Sequence, residues 1–314
     1  MRVLFAGTPE IAVPSLLTVA EIVAVCGVLT APDRPSGRGR RLKAPVVKTA
    51  AEQLKTPVLQ PERLDQAVRE TVAALQPDLL VCVAYGKIFG PKFLELFPRG
   101  AVNMHPSLLP RHRGPAPIPA TILAGDAETG VTIQAVSERM DAGDIYRQSR
   151  RPLTGRETTA SLSTELSETG AALLADVVVR LADGEIDAVP QDENAATYCG
   201  MISKQDGLID WTMPAVQIER MVRAYYPWPG AYTYLNGTEL KILEASLLPG
   251  GTEVATRPGA VRGVDREHGI LVQTGDGVLG ITTLQLKSRK PAAWKTFLNG
   301  HPAILDSVLG GTEQ

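Results

Sequence analysis

LLVCVA, residues 79–84, is an unbroken apolar run. A strand with one wet face alternates apolar and polar residues, whereas a strand covered on both faces does not, so this run reads as a central strand of a parallel sheet lying between helices. The same rhythm extends outward from it through the first half of the chain. Residues 2–8, 22–30 and 100–104 read as further strands. Residues 9–20, 45–54, 61–75 and 91–97 read as helices, each opening on a Pro whose missing N–H costs nothing in a first turn. Residues 131–136 and 144–151 add two strands, and 158–182 carries a long amphipathic helix with Leu162, Leu166, Leu173, Leu174, Val177, Val178 and Leu181 near helical spacing. Alternating strands and helices make the fold class α/β, with a parallel-sheet domain expected over residues 1–188.

Residues 188–206 (AVPQDENAATYCGMISKQD) lose periodicity and gain polar side chains, so 189–206 reads as a linker. A helix follows at 215–224, broken by YYPWPG at 225–230. From 231 to about 286 come the short strands AYTYL, LKILEASLL, GAVRGV, GILVQT and GVLGITTLQL, separated by turns bearing Gly, Asn or Asp. That pattern suggests a small closed barrel within a second domain, 207–314.

Composition agrees with two folded domains. The chain has 314 residues, 44% hydrophobic and 21% charged, which excludes a disordered or fibrous chain. No apolar run approaches the roughly 18 residues that span a bilayer. MRVLFAGTPE has one basic residue and a short apolar run stopped by Gly7 and Pro9, unlike a signal peptide, so no membrane association and a cytoplasmic location are expected. Cys26, Cys82 and Cys199 are far apart in sequence and form no C-x-x-C, which argues against a disulfide framework or a zinc site. With 32 Lys and Arg against 34 Asp and Glu, a net charge of −2 argues against indiscriminate nucleic-acid binding but leaves room for a local basic patch.

A parallel sheet at the N-terminus raises the question of a nucleotide. The first strand ends in Ala6-Gly7-Thr8-Pro9-Glu10, with neither G-x-G-x-x-G nor G-x-x-x-x-G-K-[ST], so NAD and ATP are not favoured. The informative stretch is NMHPSLLP, 103–110, directly after a strand and therefore at the carboxyl edge of the sheet, where ligands sit. Asn103 and His105, two apart on one strand, face the same side. Glu138 to Asp144 (ERMDAGD) follows another apolar strand and offers Asp141 on a turn shaped by Gly143. Taken singly, each has an ordinary explanation: His105 can cap a helix, Asn103 can end a strand and Asp141 can bond its own turn.

Together these segments are similar to a known family. NMHPSLLP followed by RHRGPAPI, then GVTIQ and MDAGDI, resembles the folate-dependent formyltransferase superfamily. FAGTPEIAVPSL, APDRPSGRGRRLKAPVVK, VAYGKI and PWPGA resemble its branch that formylates methionyl-tRNA. The resemblance covers nearly the whole chain; the one small departure is Pro106, where the family often has Gly or Ala. It implies a Rossmann-like first domain without a dinucleotide, followed by an OB-like barrel that binds tRNA. It also implies 10-formyltetrahydrofolate as co-substrate, initiator methionyl-tRNA as acceptor, and Asn103, His105 and Asp141 around the formyl carbon. The chemistry suits those side chains: attack by an amine builds negative charge on the formyl oxygen, for which an Asn N–H and a protonated His are donors, and Asp141 would favour the imidazolium. Proton transfer through His105, Asp141 or a water stays open.

By the same resemblance Ser107, Leu108, Leu109 and Pro110 line the folate site, and Tyr85 lies where backbone meets the pterin edge. An ordinary buried loop and plain core packing are the alternatives. Arg34, Arg38, Arg40, Arg41, Lys43 and Lys48 place six positive charges between residues 34 and 48. Such a run is usually a solvated surface; here it follows the second strand on the active-site side, where it can grip RNA phosphates. From Lys204 onward basic and acidic residues balance at eleven each, so tRNA contact there needs local clustering, for example Lys287, Arg289, Lys290 and Lys295. His105, His112, His268 and His301 form no ligand cluster, so no metal is expected, and a monomer is. Two other readings remain: a formyltransferase or formyl-folate hydrolase acting on a small amine such as glycinamide ribonucleotide or an amino sugar, and a non-catalytic RNA-binding protein.

Overall fold

The computed structural model describes residues 1–36, 41–249 and 257–310, with Ser36 and Arg41 described by backbone alone. The chain divides into two compact units. One comprises Met1–Pro117, Glu128–Pro152 and Leu162–Gly200; the other comprises Ile118–Ala127, Leu153–Ser161 and the residues from Met201 on.

In chain order the elements are β1 (Arg2–Gly7), α1 (Val13–Ile22), β2 (Ala24–Leu29), β3 (Arg34–Ser36), β4 (Arg41–Lys43), α2 (Val46–Gln53), β5 (Val58–Leu59), α3 (Gln66–Ala74), β6 (Leu79–Val83), α4 (Pro91–Leu94) and β7 (Ala101–His105). They continue with α5 (Pro117–Ala124), β8 (Glu128–Ala135), β9 (Ile145–Pro152) and α6 (Thr159–Asp183). The sheet of the first unit runs β5-β2-β1-β6-β7-β8-β9. Its first five strands are parallel, in doubly wound order, and the order reverses between β1 and β6, which opens a crevice at their carboxyl ends. Gly7 sits at that point. A Cβ there would lie 2.8 Å from Ala12 Cβ and 2.9 Å from the Val83 carbonyl oxygen, so a glycine is needed for the chain to turn out of β1.

The expected parallel sheet is mixed, because β8 and β9 run antiparallel. The 136–144 connection is too short for the crossover that parallel strands require, so β9 returns antiparallel to β8; β8 itself runs antiparallel to β7 across the longer connection that holds α5. Every residue of β6 is buried, as its unbroken apolar run implies. On one face Leu4, Ala6, Leu80 and Cys82 pack with Tyr85, Phe89, Phe93 and Phe97. Met104 on β7 meets α6 at Gly170, where a Cβ would stand 3.0 Å from the Met104 sulfur.

Helix boundaries differ from the sequence reading in places. The helix expected at 61–75 starts only at Gln66, because Asp65 caps it by accepting the Val68 N–H at 3.1 Å. α5 was not anticipated, since Pro117 and Pro119 look like helix breakers. Both lie in its first turn, where their missing N–H groups have no intrahelical partner to lose.

In the second unit α7 (Ala215–Ala224) precedes β10 (Ala231–Leu235), β11 (Thr238–Leu247), β12 (Val261–Asp265), β13 (Gly269–Gln273), β14 (Val278–Leu286), the short β15 (Ala292–Ala293) and α8 (Trp294–Gly300). The antiparallel order is β10-β11-β14-β13-β12, with β15 on β14. Among the described residues β10 and β12 are not paired with each other. The segment 307–310 stands in the seam instead: Gly310 N–H donates to Tyr234 O at 3.0 Å, and Leu309 N–H donates to Gly259 O at 2.7 Å. The core inside holds Trp211, Ile218, Leu240, Ile242, Ile270 and Phe297, with the Trp211 indole N–H satisfied by Thr233 Oγ1 at 2.9 Å.

Candidate active site

The site belongs wholly to the first unit and begins on β7. Asn103 pairs across the sheet with Cys82 on β6 and Gln134 on β8, and His105 pairs with Thr132. Alternation therefore lays Asn103, His105, Thr132 and Gln134 along one polar face, opposite the face that carries Met104 to α6. Asn103 is half-buried, and its side-chain amide makes no hydrogen bond among the described residues.

His105 is 4% exposed. Its Nε2 lies 2.9 Å from the His112 carbonyl oxygen, which requires an N–H there, and its Nδ1 lies 3.6 Å from Asp141 Oδ1. Burial pushes the imidazole below its ordinary 6.5; the Asp141 carboxylate and the His112 carbonyl pull it back up, and burial prevails. The imidazolium expected from the neighbouring carboxylate alone is thus opposed by desolvation. A lowered folded-state value means that the unfolded chain binds the proton more readily, so His105 costs stability as pH falls through 6.5 and costs nothing well above it. Between about pH 7.5 and about pH 5 the melting temperature of the parent is expected to fall more steeply than that of His105→Gln, which lacks the titrating ring. Equal slopes in thermal denaturation would remove His105 as the source.

Asp141 occupies a left-handed backbone conformation, φ 51°, which Asp tolerates better than most residues. Its Oδ2 accepts the Gly114 N–H at 2.8 Å and its Oδ1 accepts Gln134 Nε2–H at 3.0 Å. Gly114 lies close against the segment that follows α6: a Cβ there would fall 2.2 Å from the Cys199 carbonyl oxygen. The loop is pinned to that segment by Arg113 N–H to Thr197 O, Thr197 N–H to Pro110 O and Cys199 N–H to Arg113 O. Arg113 itself is fully buried, bonded to Gln191, Glu193 and Tyr198. Burial pushes the Cys82 thiol up to about 12 and raises that of Cys199, so neither supplies a thiolate near neutral pH.

The remaining expected residues divide. Ser107 is completely buried, with its hydroxyl donated to Arg111 O at 2.7 Å, and Leu109 is 3% exposed; Leu108 and Pro110 are the half-buried members of the loop. Thr132 fastens this loop, donating its Oγ1–H to Ser107 O at 2.7 Å and accepting the Leu109 N–H at 3.1 Å. Tyr85 is in the core, its ring stacked on Phe89 at 5.6 Å; its hydroxyl is buried without a partner among the described residues, and burial raises the phenol to about 12.

Of the basic run, Arg34 and Lys43 are opposite one another on the β3–β4 hairpin; Arg34 forms an exposed pair with Glu62 at 3.1 Å, and Lys43 is exposed. Lys48 is not part of a free basic surface, since it donates to Asp33 at 2.9 Å. Arg38 and Arg40 lie outside the described residues, as does the side chain of Arg41.

The sequence reading assigned no role to Thr132, Gln134, Arg113 or Gln191. The first two had a signal, polar residues at alternate positions of the apolar strand VTIQ. Arg113 falls within the quoted stretch RHRGPAPI, which does not show its distant partners, and Gln191 had no signal, because its partners lie far away along the chain. Among the described residues no cluster of three or more His, Cys, Asp or Glu can hold a metal, and no helix is long and apolar enough to cross a membrane.

A doubly wound sheet that carries Asn and His on one face of β7 with an Asp beside the His, followed by an antiparallel sheet domain, is the architecture of a formyltransferase, and the chain belongs to that family. Residues 3–178 match the formyl transferase model and 201–302 match the formyl transferase C-terminal domain. The chain is 49% identical over 318 residues to the methionyl-tRNA formyltransferase of Treponema pallidum subsp. pallidum, covering 99% of each chain. It is 45% identical over 324 residues to the methionyl-tRNA formyltransferase of Treponema denticola, covering 100% of each. An N-formyltransferase from Helicobacter canadensis, solved with folinic acid and dTDP-3-aminofucose, shares the fold at a TM-score of 0.66 and 20% identity, over 91% of this chain and 99% of that one.

Proposed function

We propose that the protein transfers the formyl group of 10-formyltetrahydrofolate to the amino group of initiator methionyl-tRNA, in the cytoplasm, for translation initiation. The observation that carries this reading is the uncommitted Asn103 amide two residues along the same strand face from His105, which stands beside Asp141, in a chain that aligns end to end with two methionyl-tRNA formyltransferases. The methionyl amine attacks the formyl carbon, a C–N bond forms, and negative charge collects on the formyl oxygen, where Asn103 N–H donates. The bond from that carbon to folate N10 then breaks. The amine loses one proton and N10 gains one, and the His105–Asp141 pair is suited to hold that proton in transit. Leu108 and Pro110 offer apolar contact to the flat folate ring, and the buried, unpartnered Tyr85 hydroxyl is a polar group that a ligand can satisfy.

Incubation with formyl-folate and charged initiator tRNA, beside glycinamide ribonucleotide and an amino sugar nucleotide, tests the acceptor. Formylation of the small amines in preference to the tRNA overturns the reading.

The basic run from Arg34 to Lys43 is read as the tRNA grip of the first unit. Changing Arg38, Arg40 and Arg41 together to Ala is expected to raise KM for methionyl-tRNA and to flatten the salt dependence of binding, because each neutralised phosphate contributes to that slope. Folate affinity should not move. Parental KM and salt slope would reduce the run to a solvated surface.

A further inference from the structure

We propose that Gln191 is a positioning residue for formyl transfer, clamping the turn that carries Asp141; this rests on the reading of Asp141 as a member of the catalytic pair. The segment that bears Gln191 leaves α6 and is tied to β9 by a reciprocal backbone pair, Ile145 N–H to Val189 O at 2.8 Å and Val189 N–H to Ile145 O at 2.9 Å. Two residues on, the Gln191 amide reaches into the Asp141 turn. Its Nε2 donates to the carbonyl oxygens of Asp141, at 2.9 Å, and Gly143, at 2.6 Å, with Gln134 Oε1 at 3.2 Å. Its Oε1 accepts from Arg113 Nε at 3.1 Å and Nη2 at 2.9 Å.

These partners fix the orientation of the amide, since Arg113 can only donate and the carbonyls can only accept. The result is a closed ring. Arg113 holds Gln191, Gln191 holds the Asp141 backbone, and the Asp141 carboxylate returns to the N–H of Gly114, the neighbour of Arg113. Gln134 adds a second strut, donating to Asp141 Oδ1 while its own carbonyl meets Gln191. Such over-determination holds Asp141 at φ 51°, a conformation that residues with a Cβ populate sparsely, Asp less so than most.

Glu in place of Gln191 keeps the acceptor for Arg113, and so keeps the buried guanidinium paired, but removes the donor to the Asp141 turn. Gln191→Glu is therefore expected to fold and to lower kcat by up to about a hundredfold, the scale of an ångström of misplacement, while KM for folate and for tRNA stays near the parent's. Gln191→Met also removes the clamp and adds no charge, and should lower kcat comparably. Parental kcat in Gln191→Glu overturns the inference. So does a loss in Gln191→Glu with none in Gln191→Met, which assigns the effect to added charge, or a joint rise of both KM values, which marks general collapse of the site. Should Gln191→Met fail to fold, the split between kcat and KM in Gln191→Glu still decides. A parent that formylates no methionyl-tRNA would instead count against the functional reading itself.

Discussion

Asp141→Asn is expected to lower kcat for formyl transfer by about 10²–10⁴, the usual span for removing a positioned acid or base. Both carboxylate oxygens are acceptors in the structure, Oδ2 from the Gly114 N–H and Oδ1 from Gln134 Nε2–H. An asparagine of the same shape has to turn its NH₂ group toward one of these donors, which leaves a partly buried donor facing a donor at a cost of about 1–3 kcal/mol. The larger consequence falls on His105. With the negative charge 3.6 Å from Nδ1 gone, burial acts on the imidazole without that opposing pull, and the ring holds a proton less readily. Single-turnover transfer measured beside thermal unfolding separates the two effects. A rate close to the parent's in a folded Asp141→Asn protein would take Asp141 out of the proposed chemistry.

Asn103→Ala is expected to cost about 10²–10³ in kcat, the typical effect of deleting one donor to a developing oxyanion. Its thermal stability should match the parent's, because the Asn103 amide has no protein partner among the described residues and the side chain is only half-buried. His105 is a less clean probe. It is buried and bonded to the His112 carbonyl, so truncation there removes a packed ring together with any catalytic role. Loss of stability in Asn103→Ala with kcat retained would make Asn103 a strand-end residue and nothing more.

Much of this architecture is legible in the chain because local pattern and global environment agree. LLVCV, residues 79–83, is buried on both faces in the structure, with Ala84 exposed beyond the strand end, and the period of two that puts Asn103 and His105 on one face needs no tertiary information. Elements whose character is set elsewhere were not legible. β8 looks like any other strand, and the long connection from β7 through α5 leaves its direction open, so its antiparallel pairing with β7 could not be read from the chain. Pro117 and Pro119 read as breakers until their place in a first turn is known. Lys48 counts as one more positive charge in sequence, yet it is spoken for by Asp33. Residues 189–206 read as a linker because they lack periodicity, and periodicity cannot report that Thr197 and Cys199 within them hydrogen-bond a loop far earlier in the chain.

The pinning of residues 110–114 by Thr197 and Cys199 also sets a schedule. A ribosome extending the chain at about 5–20 residues per second releases β7 and its Asn103 and His105 roughly five to twenty seconds before Thr197 can pair with Pro110. Through that interval the nascent sheet carries its chemistry on a face of β7 whose covering loop has no Thr197 or Cys199 to close against. The polypeptide gains a finished site late, when the residues after α6 emerge, and until then its working surface is open to whatever waits at the tunnel exit.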